Sequence, residues 1–308
     1  MLQKEFKYIT RFEDSNQKRI SYILITKNRG EALRKTLPIL RTLIKDRDEL
    51  IIIDGASSDS TVDVVHAHQE FVTTFISEKD MNAAHAFNKG ILLARGEYVV
   101  FLFDEDRTHA EPLEKALGVL EAHPEIDILV CGGMKHFRGV SRPYYYKPGT
   151  NYGKSPEDAF KYGTCANGFV IRRRVFARAG LFPTDCTGGD DIIFMAQAIY
   201  RGAVVKFCRI NLFDFYMTEE STSSRLRPKI NAERLRFMKH YCSPKFVKKN
   251  QLMHQGPKRF LKPLWYKSVV AYWLKVLFHD GIGAVWNRGV LRKRGSQARE
   301  YIWDGGFS

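Results

Sequence analysis

The chain has 308 residues, of which 44% are hydrophobic, enough to bury the core of one large α/β domain with an extension or of two modest domains. It has no run of about 18 uncharged apolar residues, and its charged first stretch, residues 1–19, lacks the apolar segment of a signal peptide. We therefore expect a cytoplasmic protein without a spanning helix. Five cysteines, an odd number without a C-x-x-C pair, argue against a disulfide framework and a zinc site.

Short apolar runs rich in β-branched residues alternate with helical patterns from Ile20 onward. The four predicted strands are ISYILIT (20–26), LIIID (50–54), FVTTFIS (71–77) and EYVVFLF (97–103). The helix before the last strand runs through AAHAFNKGILLA, and Asp80 is its predicted N-cap. Buried strands separated by helices predict a mostly parallel sheet with helices on both faces. In such sheets, ligands bind beyond the carboxyl ends of the strands.

Acidic residues stand at those carboxyl ends. Asp54 ends the second strand, and Asp104, Glu105 and Asp106 follow the fourth. Three adjacent, partly buried carboxylates repel one another. Mg²⁺ or Mn²⁺ would relieve that repulsion and can bridge one or two carboxylates to a substrate diphosphate. The alternative is an acidic turn that caps the next helix.

The pattern continues after the acids. A helix is predicted over 110–123 and a strand over 126–132, and the Pro-, Gly- and Tyr-rich residues 141–155 predict a long functional loop over the site. ANGFVI is then typical of a strand and RRRVFARAG of a helix. TGGDDIIF places Asp190 and Asp191 at a helix start after two glycines.

This ordered set of segments resembles the inverting family 2 glycosyltransferases, which have the nucleotide-diphosphosugar-binding fold called GT-A. The first strand and turn of that family resemble ITKNRG. Its Asp-Gly-x-Ser-x-Asp signature resembles IIIDGASSDST. The helix and strand before its metal motif resemble SEKDMNAAHAFNKGILLARGEYVVFL. FVIRRRVFARAGLFP and GGDDIIFMAQAIYRG resemble acceptor-side segments. The resemblance runs from about Ile20 to about Ser224. It implies an α/β GT-A fold with a mostly parallel central sheet flanked by helices.

The resemblance also implies roles for individual residues. Asp54 would accept a hydrogen bond from the nucleotide base, with Ser57 in the same signature. Thr26, Asn28 and Arg29 would line the nucleotide pocket; the alternative for them is a capped turn with a surface arginine. A helix N-terminus suits a diphosphate or a sugar hydroxyl, and the residues placed around one are Lys79, Asp80, Asn82 and Asn88.

The metal motif departs from the family pattern. Aligned without a gap from Gly96, its first acid falls on Phe103 and its later acids on Glu105 and Asp106; a shift of one residue makes Asp104, Glu105 and Asp106 the Asp-x-Asp motif. The sequence alone leaves both alignments open. We favour Asp106 as a ligand of Mg²⁺ or Mn²⁺, with Glu105 and Asp104 as further candidates and Asp104 also near the nucleotide sugar.

Inverting transfer needs a general base for the acceptor hydroxyl. Asp191 matches the second acid of the family's Glu-Asp motif and Asp190 the first; the alternative for Asp191 is an N-cap of a helix from Ile192. The Gln-x-x-Arg-Trp motif of processive members is absent. A single-addition enzyme is therefore expected, one that uses a UDP-sugar in polysaccharide or lipid-linked glycan assembly.

The C-terminal part of the sequence is strongly basic. Residues 225–308 hold 19 Lys and Arg against 4 Asp and Glu, whereas residues 1–224 hold 30 of each sign. We expect a polar leader (1–19), a GT-A domain (20–224) and a basic helical extension (225–308). KRFLKPLWYKSVVAYWLKVLF (258–278) suits a helix in a membrane interface, which would hold the protein at an anionic inner leaflet beside a lipid-linked acceptor. The alternative is an amphipathic helix packed on the catalytic domain.

Two other functions compete with this one. In the first, the GT-A core has lost catalysis and the basic extension binds a polyanion, either membrane or nucleic acid; we do not favour nucleic acid. In the second, the chain is a nucleotidyltransferase of related fold. The nucleotidyltransferase function lacks support, because ITKNRG has only one glycine at the position where a Gly-rich phosphate-binding loop would be expected.

Overall fold

The computed structural model describes residues 8–10, 18–137, 140–144, 152–216 and 227–255. The chain divides into two compact units, with the boundary between Cys242 and Ser243. None of the helices in the described ranges is long and apolar enough to cross a bilayer. The predicted interfacial helix 258–278 lies outside the described residues.

Ten strands form one sheet within the described part of the first unit. In chain order they are β1 (Tyr8–Thr10), β2 (Ile20–Thr26), β3 (Glu49–Asp54), β4 (Thr74–Ser77), β5 (Tyr98–Leu102), β6 (Arg107–Thr108), β7 (Ile128–Phe137), β8 (Val140–Tyr144), β9 (Phe169–Arg172) and β10 (Val205–Tyr216). Their spatial order is β1-β4-β3-β2-β5-β9-β7-β10-β6, and β8 pairs with β7.

Helices flank this sheet. They are α1 (Gly30–Leu43), α2 (Thr61–His66), α3 (Ala83–Leu93), α4 (Ala110–Ala122), α5 (Pro156–Tyr162), α6 (Phe176–Ala179), α7 (Asp190–Tyr200) and α8 (Arg227–Tyr241). The second unit contributes α9 (Pro244–Gln255). Helix α8 packs against α5 and α7, so the first part of the basic stretch belongs to the same compact unit as the sheet.

The centre of the sheet is parallel, as the alternating pattern predicts. Strands β4, β3, β2 and β5 run parallel to one another, and β7 runs parallel to β10. Strand β9 lies between β5 and β7 and is antiparallel to both. All residues of β3 and β5 are buried, because helices cover both faces there. The carboxyl ends of β2, β3 and β5 therefore open onto one edge.

Two expectations about local structure were wrong. The predicted loop 141–155 begins as strand β8, which pairs antiparallel with β7; Pro143 is tolerated there because β8 pairs on one side only. The predicted N-cap of α3, Asp80, is replaced by Asn82, whose Oδ1 accepts a hydrogen bond from the backbone N–H of His85 at 3.0 Å. Residues 145–151 of the predicted loop lie outside the described ranges.

A buried carboxylate joins β2, β3 and the turn before β5. Glu49 is 1% exposed, and it accepts hydrogen bonds from the Ser21 hydroxyl at 2.6 Å, the Arg95 backbone N–H at 2.6 Å and the Arg95 Nε at 3.0 Å. The backbone N–H of Gly96 lies 3.2 Å from the same carboxylate. Gly96 fits because any Cβ there would lie 2.5 Å from the backbone nitrogen of Ser21.

Glu49→Ala should destabilise the fold by about 2–4 kcal/mol, because it leaves the buried Ser21 hydroxyl and the Arg95 backbone N–H without their acceptor. Urea unfolding followed by circular dichroism would measure the change. The matched control is Glu31→Ala, which removes a carboxylate that is 78% exposed and paired only with Lys35; its expected cost is below about 0.5 kcal/mol. An equal loss of unfolding free energy in the two variants would contradict the role of Glu49 as a buried hydrogen-bond acceptor.

Candidate active site

The carboxyl end of β3 presents Asp54, which is fully buried. Its carboxylate accepts hydrogen bonds from the Ser77 hydroxyl at 2.6 Å and the Ser57 backbone N–H at 2.9 Å, and the Ser57 hydroxyl donates a further short bond. Asp54 thus fixes the turn after β3. A contact of Asp54 with a nucleotide base stays a prediction.

The turn after β2 packs on the turn after β3. Asn28 has a left-handed φ of 52°. Its backbone N–H donates to the Ser57 hydroxyl at 2.7 Å, and its side-chain oxygen accepts from the Ser58 N–H at 2.8 Å. This reciprocal pairing offsets the cost of the left-handed backbone, to which asparagine is better suited than most residues. Asn28 and Ser57, both predicted at the nucleotide pocket, are therefore neighbours.

Arg29 connects this turn to the acids after β5. Its guanidinium NH1 donates to Glu105 Oε1 at 3.0 Å, and its Nε lies 3.7 Å from Asp104 Oδ2. Asp104 Oδ2 also accepts from the Thr26 hydroxyl at 3.3 Å. The structure thus brings Thr26, Arg29, Asp104 and Glu105 together at one edge of the sheet.

Phe103 does not take the place of an acid in this group. Its ring lies against the Phe87 ring, with 5.8 Å between centroids, and Phe87 in turn contacts Phe101 and Phe182. Phe103 thus contributes to an aromatic cluster under α3. The carboxylates contributed by this turn come from the following residues, Asp104 to Asp106.

Asp106 is held by two residues that we did not predict. Asn167, which precedes β9, donates from Nδ2 to Asp106 Oδ2 at 2.6 Å, and the backbone N–H of Tyr216 donates to Asp106 Oδ1 at 2.9 Å. The Tyr216 ring stacks on His136, with centroids 4.5 Å apart. The sequence ANGFVI predicts a strand but not the hydrogen bond from Asn167 to Asp106. No sequence pattern around Tyr216 predicts its hydrogen bond to Asp106.

The electrostatics of the acidic turn favour a cation. Burial raises the pKa of Asp104 to about 6, although the Arg29 guanidinium opposes the shift. Burial likewise raises the pKa of Asp106 to about 6, and the charges of Asp104 and Glu105 add to it. A divalent cation would stabilise both carboxylates in their ionised form.

The donor set fits a cation that takes the rest of its ligands from a substrate. Asp104 and Asp106 offer hard oxygen ligands, but both oxygens of Asp106 already accept protein hydrogen bonds. Across the described ranges, no group of three or more His, Cys, Asp or Glu side chains is arranged to hold a metal ion. A cation bound by one or two carboxylates plus diphosphate oxygens matches this arrangement.

The residues predicted near the start of α3 differ in their surroundings. Lys79 is exposed, whereas Asp80 accepts a hydrogen bond from Lys89 Nζ at 2.7 Å. Asn82 caps α3 and donates from Nδ2 to the Thr184 carbonyl at 2.7 Å. Asn88 is buried and uses both ends of its amide on the backbone of Phe182, at 2.8 and 2.9 Å. This pairing favours a structural role for Asn88 over a contact with the donor.

Asp190 and Asp191 form the first turn of α7, after Gly189, whose φ of 71° is left-handed. Asp191 is therefore not the N-cap, although its Oδ1 accepts from the Ile192 N–H at 2.7 Å. Burial raises the pKa of Asp191 to about 7, with a further contribution from the charge of Asp190, and burial also raises the pKa of Asp190. A carboxylate with a pKa near neutrality is suited to accept a proton at physiological pH.

The turn Cys165–Asn167 links the two acidic sites. Asn167 donates to Asp106, and the backbone of Ala166 stabilises the charged form of Asp191. Burial raises the pKa of the Cys165 thiol, and the charges of Asp191 and Asp106 both raise it further. Both acids therefore lie near one short turn.

The sequence profile of Glycosyl transferase family 2 matches residues 21–180. The chain belongs to this family of glycosyltransferases. It is 36% identical over 214 residues to the poly(ribitol-phosphate) beta-N-acetylglucosaminyltransferase TarP of Staphylococcus aureus, covering 66% of this chain and 55% of TarP. It is 22% identical to the putative glycosyltransferase EpsH of Bacillus subtilis, covering 68% of this chain and 64% of EpsH. The chain thus spans less than two thirds of the length of either relative.

Solved structures show the same GT-A fold. S. aureus TarS 1-349 in complex with UDP-GlcNAc superposes with a TM-score of 0.57 at 18% identity, covering 67% of this chain and 60% of that one. The mannosyltransferase PcManGT from Pyrobaculum calidifontis, in complex with GDP-Man and Mn²⁺, gives 0.54 at 18% identity, covering 92% and 77%. The predicted fold class and family are confirmed. The roles predicted for individual site residues stay predictions.

Asp191→Asn should make the protein more stable at high pH. The native state raises the pKa of Asp191 from 3.8 to about 7, so the wild type loses stability as the pH rises through that window. Each pKa unit corresponds to about 1.4 kcal/mol, and because the side chain is partly exposed we expect a net gain of about 2 kcal/mol at pH 8.

Urea unfolding at pH 5 and pH 8 would measure this effect. The stability difference between Asp191→Asn and the wild type should grow from the lower to the higher pH. Asp46→Asn, at an exposed position, is the matched control and should show the same difference at both pH values. A difference for Asp191→Asn that does not change with pH would contradict the elevated pKa.

Proposed function

We propose that this glycosyltransferase moves a sugar from a UDP-sugar to an acceptor hydroxyl with inversion at the anomeric carbon. The observation that carries the proposal is that two acidic sites contact the same Cys165–Asn167 turn. Asp106 accepts a hydrogen bond from Asn167 and is two residues from Asp104, which Arg29 connects to the turn after β2. Asp191 contacts the backbone of Ala166. Inversion requires separate groups for the leaving diphosphate and for the attacking hydroxyl, and this arrangement supplies both.

Each acid then has a defined task. Asp191 accepts the proton of the acceptor hydroxyl as that oxygen attacks the anomeric carbon, while burial, together with the charge of the neighbouring Asp190, keeps the pKa of Asp191 high. The turn made by Asn28 and Ser57, backed by Asp54, receives the nucleotide, together with Thr26 and Arg29. Lys79, Asp80 and Asn82 lie toward the sugar and diphosphate. UDP is supported as the nucleotide by the TarS complex with UDP-GlcNAc.

We further propose that Mg²⁺ or Mn²⁺ is required, with Asp106 and Asp104 as its protein ligands and Glu105 close by. Bound there, the ion would act as a Lewis acid toward the leaving diphosphate. The PcManGT complex contains Mn²⁺ beside its nucleotide sugar, which supports a metal in a related fold.

Binding of UDP should depend on the metal and on these acids. We expect Mn²⁺ to tighten UDP binding by about tenfold or more, equivalent to about 1.4 kcal/mol. Asp106→Asn and Asp104→Asn should remove most of that gain, because each weakens the carboxylate ligand set. Isothermal titration calorimetry with Mn²⁺, and in EDTA, measures both quantities.

The control for this titration is Asp46→Asn, which removes an exposed acid away from the turn and should leave the Mn²⁺ effect intact. UDP affinity that is the same in Mn²⁺ and in EDTA would refute the metal requirement. Failure of UDP to bind under any condition would refute the nucleotide assignment itself.

The biological product is proposed from the relatives. They include the poly(ribitol-phosphate) beta-N-acetylglucosaminyltransferase TarP, the amylovoran biosynthesis glycosyltransferase AmsB of Erwinia amylovora and the O-antigen chain rhamnosyltransferase RfbN of Salmonella typhimurium. These names support a role in assembly of a bacterial surface polysaccharide or of a lipid-linked glycan. We propose single sugar addition at the cytoplasmic face of the membrane.

The basic C-terminal residues would hold the enzyme at that membrane. The full chain should pellet with anionic liposomes at low salt and be released at high salt, because exposed charges are screened there. A chain lacking residues 256–308 should stay in the supernatant. Zwitterionic liposomes are the matched control. Equal pelleting of the full and shortened chains would contradict a membrane role for this segment.

A further inference from the structure

Helix α8 is fastened to the loop that leads into the catalytic aspartates. Glu233 accepts hydrogen bonds from the backbone N–H and hydroxyl of Thr187, at 2.6 and 2.7 Å. Arg236 donates to the Asp185 carbonyl at 2.5 Å and pairs with the Asp185 carboxylate at 3.0 Å. These contacts hold one face of α8 beside the start of α7.

Arg234 lies on the same helix, beside the glycine that precedes the two aspartates of α7. A Cβ added to Gly189 would lie 3.9 Å from Cγ and Cδ of Arg234, so the arginine stem packs over the residue before the aspartates. Its NH2 donates to the Phe160 carbonyl at 3.3 Å. The charge of Asp191 acts on the guanidinium, while burial lowers the Arg234 pKa.

This guanidinium is incompletely paired. Arg234 Nε is buried and has no hydrogen-bond partner, and among the described residues no carboxylate lies within 4.0 Å of the side chain. Asp191 is a poor counterion because its pKa near 7 leaves it partly protonated at neutral pH. A half-buried guanidinium without a paired anion is costly, so binding an anion would stabilise this side chain.

Two buried hydroxyls, those of Tyr152 and Thr164, lie close to each other in the same part of the domain. Five buried side-chain polar atoms in the described residues lack a hydrogen-bond partner, and they include Tyr152 Oη, Thr164 Oγ1 and Arg234 Nε. The charge of Asp191 contributes to the raised pKa of Tyr152, which places the phenol near the same carboxylate. Thr164 immediately precedes the Cys165–Asn167 turn. These three groups supply hydrogen-bond donors around Asp191.

We propose that Arg234, assisted by Tyr152 and Thr164, forms a subsite beside Asp191 for a phosphate group of the acceptor. The planar guanidinium can donate two parallel hydrogen bonds to a phosphate, and hydroxyls can donate to the remaining oxygens. The acceptor is accordingly a phosphorylated polyol or sugar, whose reacting hydroxyl lies close to the phosphate. This inference rests on the proposed function, because it places the acceptor next to the proposed base.

The test uses the full-length protein saturated with UDP and Mg²⁺, so that the donor diphosphate site is already filled. Glycerol 3-phosphate is titrated calorimetrically, with glycerol and glucuronate as neutral and carboxylate comparisons. We expect saturable binding of glycerol 3-phosphate and much weaker binding of the other two. Arg234→Met should weaken phosphate binding by about tenfold or more, the range for loss of a charge-assisted hydrogen bond.

Lys239→Met is the matched control, because it removes one positive charge from an exposed position on the same helix and should leave phosphate binding unchanged. UDP affinity, measured for every variant, reports on folding and on the donor site. If Arg234→Met also loses UDP binding, the test uses Arg234→Lys instead, because lysine keeps the charge but lacks the paired donors. We expect Arg234→Lys to bind glycerol 3-phosphate more weakly than the wild type does.

Glycerol 3-phosphate that binds equally to the wild type and to the Arg234 variants would overturn the proposal, and so would failure to bind the wild type. Equal binding of glucuronate would overturn the choice of phosphate. The proposed function fails separately if the wild type does not bind UDP. Phosphate binding that depends on Arg234 would support the subsite even then.

Discussion

Burial of several carboxylates at one edge of a parallel sheet is the constraint on which this structure depends. Asp104 and Asp106 follow β5, and Asp191 lies in the first turn of α7. Burial raises the pKa of all three carboxyl groups above the ordinary range. Buried carboxylates persist only where donors or cations compensate them. Arg29 supplies part of that compensation to Asp104, and Asn167 supplies part of it to Asp106. A bound cation and a bound substrate would provide the remaining stabilisation of these buried carboxylates.

The parallel core and the place of the site could be predicted because they depend on local patterns. The β-branched run Ile20–Thr26 is a strand with the expected bounds, whereas the predicted strand 71–77 begins only at Thr74. Parallel strands place their carboxyl ends at one edge. The structure also shows Phe103 within an aromatic cluster, so the carboxylates of this turn begin at Asp104. The sequence left the alignment of the metal motif open because the position of Phe103 depends on its contacts with α3. Sequence spacing does not predict those contacts.

The contacts that hold Asp106 could not be predicted either, because they also join residues that are far apart in the sequence. Asn167 is 61 residues from Asp106 along the chain, and Tyr216 is 110 residues away. Their pairing follows from the reversed direction of β9 and from the bulged pairing of β10 with β7, which are tertiary properties. Asp80 illustrates a different limit, because either of two nearby polar residues could cap α3, and Asn82 does so. The family profile ends at residue 180, before Asp191 and Arg234.

The measurement that tests the account most directly is release of UDP from a panel of UDP-sugars with Mn²⁺, comparing the wild type with Asp191→Asn. The account predicts that the wild type releases UDP from at least one donor and that Asp191→Asn still binds UDP but loses turnover, because only the proton acceptor is removed. Turnover that persists unchanged in Asp191→Asn would contradict the assignment of the base. Absence of turnover and of binding in the wild type, across the whole panel, would contradict the proposed activity.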